Sequence, residues 1–218
     1  MANADPMPVT DGTQLLAALP FAPGQSPFRI KGVSYRGHLE YVALRVPGGF
    51  DAMQAAFDDP RLRRFFEQPF LAGSYYDIFP LLHAGVACAK IVGTDYLSFV
   101  TTRAVHQAEV DVAGVYKVML KAAPDGLLAK RIPKTIAQYM DFLECDATSS
   151  GDHAVVGELR GAPLAAAPWL AALLRGFVPR LLSLAGARAP AVEFGGLRAG
   201  PRKHGVDIAT MPFEVHWQ

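Results

Sequence analysis

Tyr75-Tyr76-Asp77-Ile78-Phe79-Pro80, continuing through Leu81-Leu82-His83-Ala84-Gly85-Val86-Ala87-Cys88 to Val92, is the stretch that decides the fold. Asp77 is the expected N-cap of a helix. That choice places Pro80 at the third helical position, where its missing N–H has no intrahelical partner to lose. A start at Tyr75 would push Pro80 deeper, where it is costly. Tyr75 and Tyr76 are then left on the turn leading in. The body, Leu81 to Val92, is apolar on nearly all sides, and Ala84, Gly85, Ala87 and Ala89 allow close neighbours. A helix that is apolar all round is buried, so this one is expected at the centre.

Toward the C-terminus, Thr94 is the expected cap of a second long helix. Leu97, Val100, Ala104 and Ala108 form one stripe on it, and Val112, Val115, Tyr116, Met119 and Leu120 another. Ala123-Pro124-Asp125-Gly126 breaks the pattern. Leu127, Leu128 and Ile132 mark a short helical piece, and Pro133 can open a helix carrying Ile136, Tyr139 and Met140. Toward the N-terminus, Pro60–Glu67, Phe50–Phe57 and His38–Val46 have helical spacing. Phe28–Tyr35 has the alternation of a strand, with Gly32 marking a bulge or a close backbone approach. Residues 1–26 carry Pro6, Pro8, Pro20 and Pro23 and are expected to form an irregular arm, with one helical turn between Asp11 and Leu19.

After Phe142 the character changes. Glu144–Thr148 and Ala154–Arg160, joined by Ser149-Ser150-Gly151-Asp152, have the pattern of a β-hairpin. Trp169 to Leu184 follows as a strong helix, with Pro179 expected to kink it and Gly186 just past its end. Ala191–Leu197 and Pro212–Trp217 are the last two strands. Helices first and then β-β-α-β-β define an α+β fold: an N-terminal helical layer packed on a C-terminal four-stranded antiparallel sheet. Residues 27–218 are expected to form one domain.

The 218 residues suffice for a hydrophobic core without disulfides or metals. The chain is 51% hydrophobic and only 19% charged, so part of its apolar excess is expected to line a cavity or an interface. A net charge of +1 and two short basic runs give no nucleic-acid footprint. Two isolated cysteines, Cys88 and Cys145, offer neither a disulfide framework nor a zinc spacing. With no leader pattern at Met1–Pro6 and no apolar run long enough to span a bilayer, a cytoplasmic location is expected.

Chemistry-bearing motifs are sparse. There is no Gly-x-Ser-x-Gly elbow, no P-loop and no Gly-x-Gly-x-x-Gly loop, so no catalytic residue is assigned. His106 and Glu109 share a helical face but lack further ligands, so no metal site is assigned and a solvated face is the better reading. His83 sits in the apolar helix, either as a satisfied core histidine or as a polar handle in a pocket. Tyr116 poses the same choice on the next helix, and Lys117 is expected to be exposed.

The segments Gly73–Pro80, Asp111–Lys117, Pro133 and Tyr139-Met140-Asp141 resemble those of an uncharacterised bacterial family that is similar to the 4-vinyl-reductase domain. The likeness extends over most of residues 28–217, through the helix ending Ala185-Gly186-Ala187 to the terminal strand with Trp217. It implies a fold shared with haem-nitric-oxide-binding domains and small TRAPP-complex subunits, in which helices and an antiparallel sheet often enclose an apolar cavity, commonly in dimers. Two departures bear on cofactors. No cysteine follows Cys145, so zinc is not expected. Tyr96-Leu97-Ser98-Phe99-Val100 has the first two positions of the haem-binding Tyr-x-Ser-x-Arg signature but valine for arginine, so haem is not expected either.

The leading expectation is a non-enzymatic small-molecule-binding or sensor domain, with an apolar cavity between helices and sheet. Tyr75, Tyr76, Phe79, His83, Tyr116 and Tyr139 are the residues expected near it. The partner would be a small apolar or aromatic molecule, bound by a homodimer without a cofactor. An assembly module that uses the apolar surface as an interface is the alternative. An enzyme using His83 or His106 as acid–base is the third reading.

Overall fold

The structure, a computed structural model, describes residues 13–113, 131 and 134–218. Expectations that fall on 1–12, 114–130, 132 and 133, Tyr116 and Lys117 among them, lie outside the described residues. The first half contains α1 (Thr13–Ala17), β1 (Arg29–Lys31), α2 (Gly32–Arg45), α3 (Gly49–Ala55), α4 (Pro60–Phe66), β2 (Tyr75–Asp77), α5 (Phe79–Val92) and α6 (Tyr96–Ala113). The second half contains β3 (Glu144–Ser149), β4 (Ala154–Pro163), a long helix α7 (Ala167–Ala185), β5 (Ala191–Phe194), β6 (Arg198–Ala199) and β7 (Ile208–His216). The chain is α+β. Among the described residues no helix is long and apolar enough to cross a membrane.

Helix α5 is central, and nine of its 14 residues are buried, which its all-round apolar sequence requires. Its start differs from expectation by one residue. Tyr75–Asp77 is a strand rather than a turn, because it pairs antiparallel with Arg29–Lys31. Ile78 is therefore the N-cap and Pro80 the second helical residue. The Asp77 carboxylate still accepts the first-turn N–H of Phe79 at 3.0 Å, so it fills the chemical role of a cap from outside the helix.

The strand expected over Phe28–Tyr35 is cut to three residues, and α2 begins at Gly32. The Gly32 N–H donates to the Ser74 carbonyl at 2.7 Å. A side chain at 32 would run into the Leu71 carbonyl, so only glycine lets the two segments approach. At the head of α6 the capping group is Asp95 rather than Thr94: its Oδ1 accepts the Ser98 N–H at 2.9 Å.

The expected hairpin is β3–β4, paired from Glu144↔Arg160 to Ser149↔Val155. The sheet is antiparallel in the order β3-β4-β7-β5, but it has five strands, not four. β7 starts at Ile208, earlier than expected, and its nine residues accommodate two partners on one edge. Ala191–Phe194 pairs with Phe213–His216, and Arg198–Ala199 pairs with Ala209–Thr210. Val155, Leu159, Met211 and Val215 are buried in one cluster with Leu170, Leu174 and Leu181 of α7. Helix α6 packs on α7, where Thr101 Oγ1 donates to Leu97 O within its own helix at 2.9 Å and reaches Ala172 O at 3.3 Å.

Candidate functional site

Two stripes at four-residue spacing face one another. Helix α6 presents Arg103, Gln107 and Asp111, and α7 presents Trp169, Leu173 and Phe177. Residues four apart lie on one helical face. Ile30 of β1, Val33 and Ser34 of α2, and Ile136, Tyr139 and Met140 complete a cavity of about 100 Å³. Ile30, Arg103, Met140 and Trp169 are buried and form its floor, whereas Val33, 39% exposed, marks its mouth. No lining residue belongs to the five-stranded sheet. This cavity is thus walled by α2, α6, α7, strand β1 and residues 136–140.

The floor holds an unusual charge. Arg103 is only 6% exposed. Among the described residues no hydrogen bond reaches its side chain, and no carboxylate lies within 4.0 Å of its nitrogens. Burial pulls the guanidinium down to about 10, with Tyr41 and Asp111 acting in the opposite sense, so it stays cationic at neutral pH. Asp111, two helical turns away, is engaged elsewhere: its Oδ1 accepts Gln107 Nε2 at 2.7 Å. Burial raises the Asp111 carboxyl, against the lowering effects of Gln107 and Arg103. Beside Arg103, the His38 imidazole is buried with no partner for Nε2. Burial, followed by the Arg103 charge, pushes it down to about 3, so His38 is neutral.

The structure distributes the sequence-derived candidates over several places. Tyr139 lines the cavity. Tyr75 is exposed, and Lys31 Nζ lies 5.9 Å from its ring centre and 5.4 Å from that of Tyr139. Tyr76 uses its hydroxyl locally, accepting the Leu71 N–H at 2.9 Å and donating to Pro69 O at 3.3 Å. Phe79 and His83 line a separate cleft of about 430 Å³ between the segment 13–23, Ala56–Leu62 and α5. Burial lowers the His83 imidazole, with Asp59 pulling the other way. Glu109 is paired with Arg180 at 2.7 Å, and no cluster of three metal-type ligands occurs among the described residues.

The cleft ends on a second buried charge, Asp77, 4% exposed. Its Oδ2 accepts the N–H groups of Gly24 at 2.9 Å and Ser26 at 3.2 Å, and its Oδ1 that of Phe79. Its backbone carbonyl accepts the Tyr35 hydroxyl at 2.5 Å, which in turn accepts the Leu81 N–H at 3.0 Å. Burial raises the Asp77 carboxyl, offset by those backbone donors.

Arg103, Gln107, Trp169 and Phe177 were missed as site residues at the sequence level. A signal existed: a polar i, i+4, i+8 stripe runs beside the apolar stripe of α6. It gains meaning only when α7 is seen to face it.

No family model matches the chain, and no curated protein does. Solved structures do. The Fe(II) unliganded H-NOX protein from K. algicida aligns with a TM-score of 0.58 at 12% identity, covering 87% of this chain and 97% of its own. A mutant H-NOX from T. tengcongensis aligns with a TM-score of 0.57 at 9% identity, covering 87% and 98%. A structure concerned with haem distortion in the H-NOX family gives 0.58 at 9%, covering 87% and 95%. The chain thus shares the H-NOX fold.

That fold raises haem, and the described residues do not fit it. The Arg103 cavity is about 100 Å³ and has no imidazole in its lining, whereas even drug-sized ligands occupy roughly 300 Å³ or more. The cleft is larger and has His83, but Asp58, Asp59, Arg61 and Lys90 share its walls. A porphyrin needs a dry apolar slot with an axial ligand inside it.

Proposed function

We propose that the protein is a small-molecule-binding domain of the sensor type, with the cavity beside Arg103 as its ligand site. One observation carries this reading: a mostly aromatic and aliphatic cavity into which a buried guanidinium, Arg103, is set with no ion pair among the described residues. Ligand sites have this composition, mostly apolar walls with few convergent polar groups. The shared fold supports the reading, since the H-NOX neighbours are named for an Fe(II) protein and for haem. Tyr139 belongs to this proposed site, and Phe79 and His83 to the separate cleft.

The test is saturation-transfer NMR with a library of fragments of up to about ten non-hydrogen atoms, a size matched to a cavity below the roughly 150 Å³ that holds benzene. Binders are expected, and Leu173→Trp, which fills the cavity from its half-buried rim, should remove them. No binder, or binders unaffected by Leu173→Trp, would overturn the assignment.

A further inference from the structure

The unpaired cation says what kind of molecule the cavity takes. A buried charge is retained at a cost of several kcal/mol unless something opposite neutralises it. Arg103 is 94% withdrawn from water by its exposure of 6%, yet its guanidinium meets no carboxylate within 4.0 Å among the described residues. Its neighbours answer the charge only at a distance, Tyr41 and Asp111 favouring the cationic form without an ion pair. His38 is a second base, with Nε2 itself unpartnered. The Asp111 carboxylate is held by Gln107 at 2.7 Å, and eight residues of helix put its backbone about 12 Å along the axis from that of Arg103. Cavity water, about three molecules in this volume, would satisfy hydrogen bonds but supplies no countercharge. A planar guanidinium fork left open in this way matches a carboxylate, which it binds through two parallel N–H···O bonds.

Resting on the reading of the cavity as a ligand site, we propose that the ligand is a small monocarboxylic acid: its carboxylate pairs with Arg103 at the floor, and its short apolar tail lies against Trp169, Phe177 and Met140. The cavity volume, about 100 Å³, sets the size. It is less than the roughly 150 Å³ that accepts benzene, so the buried part of the ligand has about four to six non-hydrogen atoms. Asp111 sets a second limit. It lines the same cavity, half-buried on the same stripe, and its carboxyl group disfavours a second carboxylate at the end of the tail. The site is therefore selective for one negative charge.

The experiment uses the full chain and the indole N–H signals of its two tryptophans. Trp169 lies in the cavity, and Trp217, at the end of the sheet, is the control. Butyrate, butyramide and succinate are titrated separately. Butyrate should shift the Trp169 signal saturably and leave Trp217 in place. Butyramide, of the same shape without the charge, should bind at least tenfold more weakly, as loss of a charge-assisted pair predicts. Succinate should also be at least tenfold weaker, and Asp111→Asn should recover most of that loss. Arg103→Met, with its fold checked by an unmoved Trp217 signal, should bring butyrate down to the level of butyramide. Equal binding of butyrate and butyramide by the wild-type protein overturns the proposal and leaves the ligand-binding reading intact, as does butyrate binding that Arg103→Met does not alter. If butyrate and butyramide both leave Trp169 unmoved while larger fragments bind, the monocarboxylate is wrong but the cavity is still a site. If nothing of any size moves Trp169, both fail together.

Discussion

Asp77 and Arg103 are both charged, both almost fully buried and both set against an opening in the fold, but they are treated in opposite ways. Asp77 is surrounded by donors: Gly24, Ser26 and Phe79 give it three backbone N–H groups. Those bonds tie the segment after α1 to the start of α5, so the charge works as a structural knot. Arg103 has no hydrogen bond and no ion pair among the described residues, only the more distant influence of Tyr41 and Asp111. It shares a cavity lining with Trp169, Phe177 and Met140, and a neutral imidazole, His38, is beside it. One buried charge has been consumed by folding and the other has been left available. The contrast separates a structural polar group from one held ready for a partner, and neither residue type nor burial alone would do so.

The comparison can be broken at its strongest point first. Asp77→Ala leaves three N–H groups, two of them buried, without their acceptor, and is expected to cost about 3–5 kcal/mol. Urea denaturation measures this, and a loss below about 1 kcal/mol would mean that the knot is not structural. An intermediate effect concerns His38. Its folded value, about 3, lies below the ordinary 6.5. Between those values the unfolded chain binds more protons, so stability rises with pH across this window and is lost on acidification, by up to about 1.4 kcal/mol per pH unit. Asp77, raised by burial, acts in the opposite sense, so the informative quantity is a difference: His38→Gln should flatten the slope between pH 6.5 and 4.5 relative to wild type. Parallel slopes would show that His38 is not buried neutral. The smallest effect is the most diagnostic. Arg103→Met, without ligand, should leave stability unchanged or raise it by about 1–2 kcal/mol, since an unpaired buried charge is being replaced by an apolar chain of similar length. A cost above 2 kcal/mol would place Arg103 with Asp77, as a residue the fold depends on.

Much of the fold was legible because its cues are local. The all-round apolar run of α5, the turn at Ser149–Asp152, and Gly186 after α7 each sit within a few residues of the structure they specify. The departures come from long-range partners. Tyr75–Asp77 becomes a strand only because Arg29–Lys31 is beside it, and Gly32 ends that strand because the 71–74 backbone crowds it. β6 has two residues, too few to carry an alternation, and exists because β7 is long enough to pair with it. The site was less legible. Periodicity drew attention to apolar faces, and so to Phe79 and His83, which line the cleft rather than the cavity. Arg103 on a helix ordinarily reads as a solvated charge. Only the packing of α6 on α7 puts it in the dark.

Gly37 lies on α2, outside the cavity lining, where a Cβ would collide with the Gln107 side-chain oxygen. Gln107 is in turn what holds Asp111. The smallest possible residue at 37 therefore sets the posture of an amide, and the amide sets how strongly an acid in the cavity lining is felt. A single added carbon at this position would retune which molecules are admitted while itself standing outside the lining. For natural drift or for a designer, position 37 is a volume control placed outside the room.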